Sequence, residues 1–96
     1  MKRERMLEEL EQAAEQLKLK VVYERLTPEA CPGGLCRVEG EYRVIIDRHT
    51  PLLERINVLL GAVARFSTDE IFLSPEVRFA VEERAAEFKA SNPEQD

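Results

Sequence analysis

Hydrophobic residues recur at helical spacing in two long segments of the chain. Over residues 2–18 an apolar side chain returns every three or four positions and glutamates fill most of the other face, which predicts an amphipathic helix. A second helix is predicted from Thr50-Pro51 to about Phe66, because Thr50 can cap the first turn and proline is favoured at the first helical position. Its apolar arc is the predicted centre of the core: Leu52, Leu53, Ile56, Leu59, Leu60, Val63, Ala64 and Phe66.

Between these helices the pattern becomes that of β-strands. Residues 19–26 are rich in β-branched and aromatic side chains and predict a strand. The next segment, residues 27–34, contains two prolines and two glycines and predicts a loop. Leu35–Glu39 and Tyr42–Asp47 are short β-prone runs on either side of Gly40, which suits the positive φ of a tight turn, so they predict a hairpin.

The last third of the chain predicts one more helix. Residues 69–73 read as a short extended stretch, and Ser74-Pro75 repeats the signal of a helix start. The resulting order is α-β-β-β-α-(short extended)-α, which predicts an α+β fold with a small antiparallel or mixed sheet packed against helices. Residues 1–89 are expected to form a single domain and residues 90–96 a disordered tail. The apolar residues of this last helix include Val77, Val81, Ala85 and Phe88.

Composition narrows the function classes. Ninety-six residues with 44% hydrophobic side chains suit one folded domain. The net charge of −5 opposes the attraction to phosphates that drives nucleic-acid binding. We find no run of about 18 apolar residues for a membrane span, and the charged N-terminal sequence does not resemble a signal peptide, so a cytoplasmic protein is expected.

The two cysteines, Cys31 and Cys36, lie on either side of a glycine pair. Two thiols are too few for a disulfide scaffold or for a structural zinc site, and we expect them to be reduced. Their spacing across Gly33 and Gly34 could nevertheless bring the sulfurs to disulfide distance, which keeps a redox role open. The plainer interpretation is that Cys36 is a small buried strand residue and Cys31 an incidental loop thiol.

The other polar candidates do not form a recognisable catalytic set. His49 is the only histidine and lies beside Asp47, where a polar turn before a helix commonly exposes an imidazole. One histidine is fewer than a metal site needs. We therefore assign no catalytic, metal-binding or cofactor-binding residue and expect no cofactor. The candidate functional residues are Gly33, Gly34, Cys36, Arg37, Asp47 and His49.

The run Gly33-Gly34-Leu35-Cys36-Arg37, followed by the hairpin and an amphipathic helix, resembles short uncharacterised bacterial proteins with a GGLCR-type segment. Over residues 19–66 the order of elements is similar to that of ImmA/IrrE-type metallopeptidase domains, a resemblance that implies a zincin-like scaffold. The HExxH positions of that family fall on Gly61, Ala62 and Arg65. None of them matches, so the two imidazole ligands and the general base are missing, and no catalytic residue is carried over.

These observations favour a non-enzymatic domain that binds a protein partner or a second copy of itself, with a homodimer as the simplest form, and neither nucleic acid nor membrane. Val58 and Ala62 interrupt the charges on the polar side of the second helix, and either Phe79 or Phe88 should be exposed on the last one, which predicts a modest apolar patch. The alternative is a degenerate zincin-like, metal- or redox-dependent activity that uses Cys36, Asp47 and His49, with Asp69 as a further carboxylate.

Overall fold

The computed structural model describes residues 2–24 and 34–91. Three helices and three strands follow one another in the order α-β-β-β-α-α, which confirms the predicted α+β class. None of the described helices has both the length and the apolar character needed to cross a membrane. The elements are α1 (Arg3–Gln16), β1 (Lys20–Glu24), β2 (Gly34–Val38), β3 (Glu41–Asp47), α2 (Leu52–Val63) and α3 (Pro75–Ser91).

The strands form a mixed sheet in the order β1-β3-β2, with β3 at the centre. β1 runs parallel to β3, pairing Val21 with Val44, and β2 runs antiparallel to it, pairing Leu35 with Val44. The hairpin turn between β2 and β3 has Glu39 at φ 52° and Gly40 at φ 83°. Two consecutive positive φ angles are typical of a two-residue type I′ turn, so the predicted role of Gly40 is confirmed.

The core lies between the helices and one face of the sheet. Val44 and Ile46 of β3 are buried, and so are Leu59 and Val63 of α2, which confirms the predicted centre of the core. α1 packs along α2, and Leu10 is fully buried. α3 is held to α1 at its first residues, where the Ser74 hydroxyl donates to a Glu9 carboxylate oxygen at 2.6 Å. From α3 the core receives Val77 and Val81.

The predicted capping of α2 by Thr50 is wrong. Pro51 is the N-cap residue, and no side chain caps this helix. The chain is instead turned into α2 by Asp47, whose carboxylate accepts the His49 N–H at 2.9 Å and whose carbonyl accepts the Thr50 N–H at 2.9 Å. Thr50 therefore lies one position before the N-cap, where its backbone N–H belongs to the turn.

Residues 69–71 of the predicted extended stretch form a turn and a bend, and residues 72–74 have no regular secondary structure, so the segment adds no strand to the sheet. The Ile71 N–H bonds to the Thr68 carbonyl at 3.4 Å, and Arg78 of α3 donates to the carbonyls of both residues. These carbonyls are therefore satisfied by a helix side chain, not by a neighbouring strand. Leu53 also departs from its predicted core position, since it is 50% exposed at the border of the apolar arc. α3 ends at Ser91, two residues beyond the predicted end of the domain.

Candidate functional site

An open groove with a volume of about 790 Å³ runs along one side of α2. The α2 residues that line it recur every three or four positions, which places them on a single helix face. Opposite α2 the groove is bordered by the start of β2, the end of β3 and two residues of α3. Glu54 in the first turn of α2 and Arg65 in the turn after its last residue mark the two ends of the groove, about 16 Å apart at the helical rise per residue. The α2 stripe, which continues into the turn after the helix, consists of Glu54, Asn57, Val58, Gly61, Ala62 and Arg65.

Two contacts between α2 and α3 shape the basic part of the groove. Arg84 of α3 lies against the bare backbone of Gly61, where an added Cβ would come within 3.2 Å of its Nη1. The same guanidinium lies 3.5 Å from the carbonyl oxygen of Asn57. In the turn after α2, the guanidinium carbon of Arg65 lies 4.8 Å from the centroid of the Phe88 ring of α3, a cation–π distance.

The turn between β3 and α2 is held by an arginine that the sequence did not single out. Arg55 donates from Nε to the Thr50 carbonyl and from Nη2 to the Arg48 carbonyl, both at 2.7 Å. Asp47 and Thr50 line the groove at this end, whereas His49 is exposed on the turn. The sequence does not reveal this role of Arg55, because its hydrogen-bond partners are backbone carbonyls, which every residue type has.

Tyr23 connects this turn to α1. Its hydroxyl donates to a Glu11 carboxylate oxygen at 2.5 Å, and the guanidinium carbon of Arg55 lies 5.5 Å from its ring centroid. Burial and the hydrogen bond to Glu11 raise the pKa of Tyr23 to about 12. The phenol is therefore neutral at pH 7 and acts as a hydrogen-bond donor between elements.

The residues that the sequence proposed for function are not gathered in one place. Gly34 and Asp47 line the groove, while Gly33 lies outside the described residues. Arg37 lies over the Tyr42 ring, 5.4 Å from its centroid. Cys36 pairs with Arg43 across the sheet, and Asp47 is four residues further along β3, about 13 Å away. Within residues 2–24 and 34–91, we find no group of three potential metal ligands.

Cys36 is disulfide-bonded, so the expectation of a reduced thiol at this position is wrong. The chain contains one other cysteine, Cys31, which lies outside the described residues. Cys36 is half-buried in β2, as expected for a strand residue. Because β2 begins at the groove with Gly34 and Leu35, the disulfide attaches to the strand that forms one border of the candidate site.

The predicted apolar patch is present only in part. Phe79 is 64% exposed on α3. Phe88 instead packs against the core, and its ring is in contact with the guanidinium of Arg65. Val58 lines the groove as expected, but Ala62 is 3% exposed and offers little surface. Together with Gly61 and Arg65, Ala62 occupies the positions that the resemblance equates with a metal-binding motif, and these three residues carry no imidazole or carboxylate.

Comparisons of this chain with protein-family models, with curated proteins and with solved structures found no match.

Proposed function

We propose that this protein is a non-enzymatic binding module that holds a polypeptide segment of a partner in the groove beside α2. The observation that carries the proposal is the combination of an elongated groove and a neighbouring edge strand. The groove extends about 16 Å along α2 and the turn after it, which matches about five residues of an extended peptide. β2 lies at one edge of the three-stranded sheet and borders the groove through Gly34 and Leu35.

Peptide recognition commonly uses this arrangement of a strand edge beside a helix. The strand supplies main-chain donors and acceptors, and the helix face supplies pockets for side chains. The α2 stripe is suited to the second role because it mixes apolar and polar side chains, from Val58 to Asn57 and Arg65. Cys36 lies about 13 Å from Asp47 along the sheet, and the Asp47 carboxylate accepts the backbone N–H of His49. This arrangement supports binding over chemistry, since general acid–base and metal catalysis need the side chains within hydrogen-bond reach of one another.

The test is selection of binders from a random ten-residue peptide display library, followed by amide chemical-shift mapping on ¹⁵N-labelled protein. The expected result is a set of peptides that perturb the amides of Gly34, Leu35, Gly61 and Arg65. Asn57→Trp fills the groove from an exposed position and should weaken binding at least tenfold. Leu53→Trp, on the same helix but outside the groove, should not. A selection without binders, or binders that map elsewhere, would overturn the proposal.

The disulfide at Cys36 favours a second candidate, a redox-dependent activity. We also propose a cytoplasmic location, and in that compartment disulfides are commonly transient and redox-sensing. Alkylation followed by intact mass measurement tests the idea. Without reductant the expected product carries no adduct, and after reduction it carries two. Equal alkylation in both states would remove the redox candidate, as would peptide binding that is the same before and after reduction.

The binding partner could also be a second copy of this chain. Phe79 and Phe72 are 64% and 80% exposed, which gives two aromatic rings that a second copy of the chain could cover. Light scattering coupled to size exclusion over a hundredfold dilution should show a mass that rises with concentration. Phe79→Ser should lower that mass toward the monomer, and a strict monomer at every concentration would exclude a homodimer.

A further inference from the structure

We infer that the partner segment is an extended acidic peptide whose carboxylates lie at alternate positions, and that Arg65 and Arg84 bind them. The inference rests on the proposed binding function and adds the chemistry of the partner. Its basis is the charge distribution along the groove. The two arginines lie in the half of the groove toward the end of α2, whereas Glu54 and Asp47 lie in the half toward its start.

The two guanidiniums are positioned by matching contacts on a pair of helices. Arg84 reaches from α3 to Gly61 of α2, and Arg65, in the turn directly after α2, reaches to Phe88 of α3. Gly61 and Arg65 are four residues apart in the chain, as are Arg84 and Phe88 on α3. The two contacts are therefore separated by about 6 Å along the helices.

This spacing matches an extended chain. Side chains at alternate positions of a strand point to the same side and are about 6.6 Å apart. Two carboxylates in the pattern acid-x-acid would thus meet one arginine each, while the intervening side chain points away. Carboxylates pair well with guanidinium donors, and pairing in a partly enclosed groove is screened less than on an open surface.

Among the described residues, neither arginine is held in a strong ion pair that would prevent it from binding a carboxylate of the peptide. In the described part of the chain, Arg65 is in contact with an aromatic ring and no carboxylate is paired with it. Arg84 has one ion pair, in which its Nε lies 3.5 Å from Glu87, a residue whose side chain is 71% exposed. An exposed pair of this length contributes little. The Nη1 and Nη2 groups of Arg84 donate to the carbonyl oxygen and the Oδ1 of Asn57, both at 3.5 Å. These bonds are at the long limit for a hydrogen bond, so a carboxylate at a shorter distance would replace them.

The probes are two short peptides with acetylated and amidated ends, one with a Glu-Val-Glu centre and one with the isosteric Gln-Val-Gln centre. Affinity is measured by chemical-shift titration of the full chain. We expect the glutamate peptide to bind in the groove at least tenfold more tightly, and the difference to shrink as salt is raised. The double variant Arg65→Glu/Arg84→Glu should abolish that preference and favour a Lys-Val-Lys peptide. Arg5→Glu, on the exposed part of α1, is the matched control and should change neither affinity.

The outcomes separate this inference from the proposed function. If display selection yields groove-binding peptides without acidic residues, or if the glutamine peptide binds as well as the glutamate peptide, the acidic partner is wrong and the binding module stands. If the charge-reversed protein is folded by circular dichroism and still prefers the glutamate peptide, the two arginines are not the recognition residues. If selection yields no groove-binding peptide, both proposals fail.

Discussion

Lys18 adopts a left-handed backbone conformation, with φ 64°, directly after α1. The Leu19 N–H bonds to the Ala14 carbonyl at 2.8 Å and the Lys18 N–H to the Glu15 carbonyl at 3.0 Å, which is the pattern of a Schellman motif. Glycine is the residue most often found at this position because it has no Cβ to strain.

Lys18→Gly should therefore stabilise the protein, by about 1 kcal/mol, with part of the gain offset by the greater freedom of glycine in the unfolded chain. Urea denaturation measures this change in the free energy of unfolding. Lys20→Gly is the control, because Lys20 is equally exposed but lies in β1, where glycine is unfavourable. A loss of stability in Lys18→Gly as large as that in Lys20→Gly would contradict the strain argument.

Position 34 favours glycine because of its backbone conformation. Its φ is +92°, and an added Cβ would meet no atom within 4 Å. Substitution therefore costs backbone strain alone, and Gly34→Val should lower the free energy of unfolding by roughly 1–3 kcal/mol. Thermal denaturation is the measurement. An unchanged melting temperature would mean that β2 can begin with a negative φ at this position.

The special backbone positions differ in how far the sequence predicts them. Gly40 and Gly34 could be anticipated, because glycine in a turn or before a strand is the usual solution for a positive φ. Lys18 and Glu39 could not, since both adopt positive φ while their residue types favour negative values. Their conformations are imposed by the helix end and the hairpin twist, which depend on neighbouring elements.

At the scale of elements, the bond between Tyr23 and Glu11 joins β1 to α1 across 12 residues of sequence. Tyr23→Phe removes the donor and keeps the ring, so the free energy of unfolding should fall by about 1 kcal/mol at pH 7. The bond is only partly buried, so solvent screens its ion-assisted part and a larger figure is not expected.

The same pair predicts a pH dependence. The pKa of Tyr23 is raised from 10.0 to about 12 on folding, so the unfolded chain loses this proton first. The stability that the phenol contributes is fully present below pH 10 and is lost as the pH rises toward 12. The difference in stability between wild type and Tyr23→Phe should shrink over this interval. A difference that stays constant to pH 12 would contradict the raised pKa.

Hydrophobic periodicity predicts the helices and the hairpin because it records which side of each element faces the core. The same signal is weak where an element is short. Residues 69–73 end in three consecutive apolar side chains and suit an extended chain, yet Arg78 of the following helix binds the carbonyls of Thr68 and Ile71 and holds a turn there. The exposure of Leu53 has a related cause: the apolar arc of α2 is wider than the surface that α1 and the sheet cover.

At the scale of the whole molecule, the groove could not be predicted from the sequence. Its basic half depends on Arg65 meeting Phe88 and on Arg84 meeting Gly61, and each pair is separated by 23 residues. In the sequence alone, Gly61 looks like a weakness in a helix and Phe88 like a core residue. Only the packing of α3 beside α2 gives these residues a common surface.

The fold as a whole depends on α2. Two leucines on this helix differ in exposure, one on its buried side and one on its exposed side. Leu59 is 0% exposed and Leu53 is 50% exposed. Leu59→Asp should unfold the protein, because an unpaired carboxylate in the core costs several kcal/mol against a typical stability of about 5–15 kcal/mol. Leu53→Asp introduces the same charge on the same helix and should change stability by no more than about 0.5 kcal/mol, since surface substitutions rarely do more. Circular dichroism melting curves measure both. A folded Leu59→Asp variant, or two variants with equal losses, would mean that α2 does not present this face to the core.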